Sequence, residues 1–375
     1  MNTIIPITED NLEQAADASA KFGMPRSAGW LRRCLFDPTV EDLTTDKIRG
    51  HMSVDENGDV KAMQCYYYQP CFFLQTKILG GTGAIMGAEA KYGEELLCVL
   101  DKDKETKTES QLSIANCVFG ERSYKINKKI SRMKESPYRP SEYRVCAIDW
   151  AAWPLVILNR LHLRMDCLQK AIFLIMRPLF RFRLYLHHVT GTGKCGYSVV
   201  QHGNFGDPRF KDFWERFLAA NDGIISSREP RRLQWLFDES IKAGKVLLAT
   251  AEKEGRIDGY VLLRERGVGG PAPRSYDIID ICAIGNDTNC LKTLVREAAW
   301  LAGRNGGVRV YFEGGMPKQE EWLDDIFSYH RKNRFYTMYK AKDSSVRDAL
   351  EQNKGWFFGP LDGERCMGHG GYIDL

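Results

Sequence analysis

The feature that most restricts the fold is an order of elements that occurs twice. In the first half, Trp30-Leu31-Arg32-Arg33-Cys34-Leu35-Phe36-Asp37 ends a helical stretch that stops at Pro38. Two β-rich runs follow, Gly50–Val54 and Val60–Tyr68, around the turn Asp55–Asp59, and strand material continues from Cys71 to Gly83. In the second half, Leu233-Gln234-Trp235-Leu236-Phe237-Asp238 closes a helix and a hairpin follows, Val246–Ala251 and Ile257–Leu263, then a strand over Asp277–Ile284. Helices are expected at Glu94–Leu100 and Ser123–Ile130, with a buried strand at Gln111–Phe119 between them. The second half continues with a helix at Asn289–Ala302, a strand at Val308–Phe312, a helix at Glu320–Phe327 and a closing strand at Phe335–Lys340. A unit repeated at about 200 residues explains both the length and this order. The fold class is α/β with mixed sheets.

Composition narrows the class of function. The 375 residues are 43% hydrophobic and 27% charged with a net charge of +4, a globular balance that demands no nucleic-acid partner. Eleven cysteines scattered along the chain do not form a disulfide framework. The acidic N-terminus MNTIIPITEDNLEQ is unlike a secretory signal, so a cytoplasmic location with free thiols is expected. No CxxC pair or HxxxH spacing occurs, so no metal is expected. Gly191-Thr192-Gly193-Lys194-Cys195 lacks the first glycine and the hydroxyl residue of a phosphate loop and reads as a turn.

Three stretches together resemble the Gcn5-related N-acetyltransferase (GNAT) superfamily. They are Ile4-Ile5-Pro6-Ile7-Thr8-Glu9-Asp10, the helix ending at Pro38 with its following hairpin, and Leu79-Gly80-Gly81-Thr82-Gly83. In the second half, Trp235-Leu236-Phe237, Gly259–Arg264 and Asp277–Ile284 fit the same pattern, as in bacterial tandem proteins of polysaccharide clusters. The resemblance implies two tandem GNAT-like domains, residues 1–148 and 191–375, separated by a helical insertion over 149–190. It also implies acetyl-CoA or another acyl-CoA as co-substrate. In that family a glycine-bearing turn after the fourth strand offers backbone N–H groups and a helix N-terminus to the pyrophosphate. Here the matching positions are Tyr92 and Gly93 in the first half, followed by acidic Glu94 and Glu95. In the second half they are Gly285, Asn286 and Thr288. A base on the fourth strand falls on Asp280, where desolvation among isoleucines would suit base work, although a strand-end ion pair or a polar edge residue accounts for it equally. The position of the acid falls most nearly on Asn127, with Tyr124 one turn away as the substitute if the helix is rotated, and Tyr311, Tyr336 and Tyr339 as candidate acids in the second half.

The insertion is distinctive. Between 150 and 188, large apolar residues are interleaved with Arg160, Arg164, Lys170, Arg177, Arg181 and Arg183 against the one acid Asp166. Such a stretch lies against an anionic membrane surface or packs as an inter-domain helical hairpin. The expected function is transfer of an acyl group to the nitrogen or oxygen of a small-molecule acceptor, a sugar or amine precursor of a surface polysaccharide. The alternative is a catalytically degenerate pair acting as a binding or scaffold protein at a membrane surface.

Overall fold

The computed structural model describes residues 2–106, 110–117, 128, 132–135, 142–147, 178, 182, 185–186, 195–221, 223–266, 274–313, 319–323, 329–332, 336–351 and 356–357. In the first half β1 (Thr3–Pro6) leads through a short turn to α1 (Leu12–Lys21) and α2 (Ala28–Leu35). Asn11 Oδ1 accepts the Thr8 N–H at 2.9 Å before α1, and Ser27 Oγ caps α2 by accepting from Trp30 N. The long hairpin follows: β2 (Gly50–Val54), β3 (Val60–Phe73) and β4 (Thr76–Ala88). Asp55 Oδ1 closes the β2–β3 turn by accepting from Asn57 N and Asp59 N. Next come α3 (Gly93–Thr106), β5 (Leu112–Cys117), β6 (Lys134–Glu135) and β7 (Glu142–Ala147).

The second half repeats this order. It runs β8 (Ser198–His202), α4 (Arg209–Ala219), β9 (Ile224–Ser226), α5 (Pro230–Lys242), β10 (Val246–Lys253), β11 (Arg256–Arg266), β12 (Arg274–Ala283) and α6 (Thr288–Arg304). It then adds β13 (Gly307–Glu313), α7 (Gln319–Leu323), β14 (Tyr329–Lys332), β15 (Tyr336–Ala341), α8 (Ser344–Glu351) and β16 (Trp356–Phe357). The apolar stripe of α4, with Phe210, Phe213, Trp214 and Phe217, is buried as its spacing requires. Glu254 and Gly255, both at positive φ, make the two-residue turn of β10–β11.

The two sheets exchange strands. One runs β1-β2-β3-β4-β5-β15-β6, with β9 against the far end of β3 and β16 on β9; the other runs β14-β7-β13-β12-β11-β10-β8. The strand expected to close the second half therefore lies in the first sheet, between β5 and β6. Its counterpart β7, just before residue 148, lies in the second sheet between β13 and β14. Each strand satisfies its backbone at an edge offered by the other unit, which chain order alone does not dictate. The hydrophobic core crosses between halves as well, one buried cluster running from Ile7 to Leu323.

Of the basic insertion, Pro178, Phe182, Tyr185 and Leu186 are described. Phe182, Tyr185 and Leu186 are exposed, and the Tyr185 ring centroid lies 5.9 Å from that of Trp300. Its basic residues, the turn 191–194 and the helix expected at 123–130, apart from Lys128, lie outside the described residues. No helix among the described residues is long and apolar enough to cross a membrane, and no metal-ligating cluster occurs among them.

Candidate functional site

Both sheets open into a fork at the same place. β4 and β5 run parallel and pair from Gly80↔Leu112 to Thr82↔Ile114; beyond that β4 continues on β3 while β5 continues on β15. In the second sheet β12 and β13 pair in parallel as far as Ile278↔Phe312, after which β12 follows β11 to Ala283. A β-bulge adjoins each fork. Ala84 is the extra residue between Cys65↔Ile85 and Tyr66↔Gly83, and Ile279 between Leu262↔Asp280 and Leu263↔Ile278. Superposing the bulges matches Ile85 with Asp280 and Met86 with Ile281. The helices α3 and α6 then open at equivalent residues, Gly93 and Thr288. A strand edge freed in this way offers backbone N–H and C=O groups to a ligand.

The two helix ends differ. Residues Ala90–Tyr92 form a single 3₁₀ turn ahead of α3, and Glu89, at the N-cap of that turn, makes no side-chain cap. Its carboxylate instead pairs with Lys21 at 2.7 Å, which holds it below the usual glutamate range. The ammonium groups of Lys91 and Lys61 lie 4.9 and 5.8 Å from the Tyr92 ring centroid, bringing positive charge to the turn. Glu94 is exposed. Glu95 accepts from Asn2 Nδ2 at 2.9 Å and from Ser53 Oγ at 2.8 Å, so its charge is drawn back toward β1 and β2. In the second half Gly285 and Asn286 both adopt left-handed conformations, φ 60° and 56°. Asp287 caps α6 by accepting from Cys290 N at 2.6 Å, occupying one of the N–H groups that a phosphate would use. Thr288 Oγ1 lies 3.5 Å from Glu321 Oε2.

The forks also differ in access. Gly83 is exposed and Met86 is 42% exposed, whereas β12 from Ile278 to Ala283 is buried throughout. Asp280 sits in that buried stretch with Arg228, neither side chain exposed. Arg228 donates to the carboxylate from Nη2 at 3.2 Å and from Nε at 3.3 Å, and from Nη1 to Ser226 O at 2.7 Å. Tyr260 OH also donates to Asp280 Oδ2. Burial, then the Asp280 charge, pushes the Tyr260 phenol well above its ordinary value. Asp280 is thus a buried carboxylate within β12, paired with the Arg228 guanidinium. Tyr124 lies outside the described residues. Tyr339 is buried in the first sheet and Tyr311 lies under the Arg266 guanidinium at 4.5 Å, so neither shares the site of Asp280.

A cleft of roughly 1180 Å³ opens between the two halves. Glu9, Asp10 and Glu13 line it from the α1 side, Arg32 and Arg33 from α2, and Arg231, Trp235, Asp238 and Glu239 from α5. Two groups escaped sequence reasoning: the partner of Asp280, and a buried His51–Asp103 pair with Nδ1 to Oδ1 at 2.5 Å. The partners are far apart in the chain, and no spacing rule links them.

The overall fold is similar to that of solved structures. The chain superposes on Saccharomyces cerevisiae N-myristoyltransferase with bound myristoyl-CoA and inhibitors at a TM-score of 0.56 and 11% identity, covering 91% of this chain and 81% of that one. A second structure of the yeast enzyme with myristoyl-CoA gives a TM-score of 0.55 and 12% identity, over 91% and 83% of the two chains. A GCN5-related N-acetyltransferase from Kribbella flavida matches at 0.49 and 15% identity, over 93% and 73%. No protein-family model and no curated protein matches the sequence. The likeness is one of fold.

Proposed function

We propose that the chain is an acyl-CoA-dependent acyltransferase whose thioester lies in the fork of the first sheet. The observation that carries this reading is the asymmetry between the forks. The first has an exposed floor at Gly83 and Met86, and its helix opens at the exposed Gly93. The second is buried, capped by Asp287 and closed around the Arg228–Asp280 pair. The pyrophosphate lies at Tyr92 and Gly93, where the α3 N-terminus and Lys91 favour an anion. The freed edge of β4 holds the pantetheine, and the acceptor nitrogen or oxygen attacks the thioester carbon, releasing the CoA thiolate. The second half, with Gly285 and Asn286 in the turn before a capped helix that opens at Thr288, is then a scaffold, and Asp280 an anchor within it. Tyr124 remains the candidate acid on sequence alone.

The yeast structures hold myristoyl-CoA, and Met86 and Leu97 are exposed apolar side chains at β4 and α3, so a long acyl chain belongs in the test beside acetyl. A polar acceptor, sugar or amine, is supported by the carboxylates and guanidinium groups of the inter-half cleft. A place in polysaccharide synthesis rests on the sequence resemblance. We divide the chain as 1–148, 149–190 and 191–375, with the basic insertion giving peripheral contact with an anionic membrane through residues such as Phe182 and Leu186. Co-sedimentation with anionic liposomes tests that contact, and absence of binding at low salt refutes it. For the main reading, acetyl-CoA and myristoyl-CoA are titrated while thermal stability is followed. A specific ligand at 100 times its dissociation constant adds about 2.7 kcal/mol. Gly83→Val is expected to abolish the effect, because Gly83 is exposed at the fork and a Cβ there already stands 3.9 Å from Gln64 Nε2, so the valine methyls crowd the path of the pantetheine. No shift with either thioester overturns the proposal.

A further inference from the structure

The duplicated fold supplies its own control for which polar residues the architecture requires. With the bulges superposed, the strand pairing matches His51 with Ala249, Ser53 with Ala251 and Gln64 with Val261. The helix starts match Glu95 with Cys290, Val99 with Leu294 and Asp103 with Ala298. Every second-half member of these pairs is buried and apolar. Those residues belong to the main core, and α6 lies so close to β11 that a Cβ on Gly259 would meet Cys290 Sγ at 2.6 Å. The fold therefore accepts an apolar seam here. The first half has a polar one. Only Val99 and Asp103 of α3 are buried, and the helix is tied down by Glu95 to Asn2 and Ser53 and by Asp103 to His51. Gln64 lies between, its Oε1 buried with no hydrogen-bond partner among the described residues.

From this contrast we infer that Ser53 and Asn2 are positioning residues for acyl-CoA binding, holding the Glu95 charge away from the phosphates at the α3 N-terminus. This rests on the fork reading above. A carboxylate in the first turn of α3 repels a pyrophosphate arriving at Gly93 and competes with it for the helix N-terminus. Drawn down onto β1 and β2 by two hydrogen bonds, the same carboxylate leaves the turn to the incoming anion. The His51–Asp103 pair pins the helix two turns further on, so α3 holds its place through side-chain hydrogen bonds where α6 relies on packing. The second half needs no such device, since its helix end already carries the Asp287 cap and the residue matching Glu95 is Cys290.

The test is the affinity of the full chain for acetyl-CoA, measured by calorimetry at 50 mM and at 500 mM salt. Ser53→Ala releases Glu95 and is expected to weaken binding about five- to tenfold at low salt, with most of the loss disappearing at high salt as the freed charge is screened. Asn2→Ala, at the less buried partner, is expected to weaken binding in the same direction and serves if Ser53→Ala folds poorly. Ser53→Ala combined with Glu95→Gln is expected to recover the parent affinity. An unchanged affinity in both single variants, a loss that ignores salt, or a double variant as weak as Ser53→Ala overturns the inference. Failure of the parent chain to bind acetyl-CoA or myristoyl-CoA counts instead against the fork reading.

Discussion

Replacing Arg228 by Met removes the guanidinium from a site with no solvent contact and takes its two hydrogen bonds from the Asp280 carboxylate, which also accepts from Tyr260 OH and lies 3.8 Å from Cys282 Sγ. It also strips Ser226 O of the donor it accepts from. Deleting one member of a fully buried ion pair costs about 3–5 kcal/mol, because the remaining charge is stranded in a medium that solvates it poorly. The cost is set by the stranded charge, so it should vanish when that charge is removed too. The protein itself suggests the replacement, since Ile85 occupies the matching position of the first half. Arg228→Met and Asp280→Ile are each expected to lower unfolding stability by about 3–5 kcal/mol, while the double variant stays within about 1.5 kcal/mol of the parent. Urea unfolding followed by circular dichroism measures all four corners of this cycle at neutral pH. A double variant as unstable as the two single losses combined would show that these side chains do not act as a pair and would refute the anchor assignment.

Asp280→Asn is expected to lower stability yet retain acyl transfer and CoA affinity; a lost kcat at unchanged stability would make Asp280 the base instead. The polar seam should behave like the Arg228–Asp280 pair, so His51→Ala with Asp103→Ala, the pair found in the second half, should destabilise less than His51→Ala alone in the same urea assay. Gly259→Ala places a Cβ 2.6 Å from Cys282 O and from Cys290 Sγ and is expected to cost about 1–3 kcal/mol by calorimetry, with no change in CoA affinity. Hydrogen bonds from Lys61, Lys21 and Arg209 hold the Asp55, Glu89 and Asp207 carboxyls below their ordinary range. A carboxyl lowered on folding contributes stability that is full above its unfolded value, about pH 4, and is lost as pH falls through the folded value. Arg209→Met should therefore make the decline in melting temperature below pH 4 shallower.

What the sequence disclosed and what it hid follow from the range of the interactions involved. The order of elements was legible because α2, α5, the hairpins and the strands before α3 and α6 each write their periodicity locally. The exchange of β7 and β15 was not, since a six-residue strand such as Glu142–Ala147 carries no mark of which sheet edge will accept it. The isoleucines around Asp280 correctly announced a buried carboxylate. Its partner Arg228 was not announced, since that residue stands between Ser227 and Glu229 in a segment that also hydrogen-bonds the first half, Ser227 N donating to Pro70 O. A buried carboxylate supports a base reading and an ion-pair reading alike until its partner is known. The comparison that separates them is internal. Where both copies are apolar, as at Val99 and Leu294, the fold sets the residue. Where one copy is charged and the other apolar, as at Asp103 and Ala298 or at Asp280 and Ile85, the fold tolerates either, and the charge has to be explained by what that half alone binds or braces.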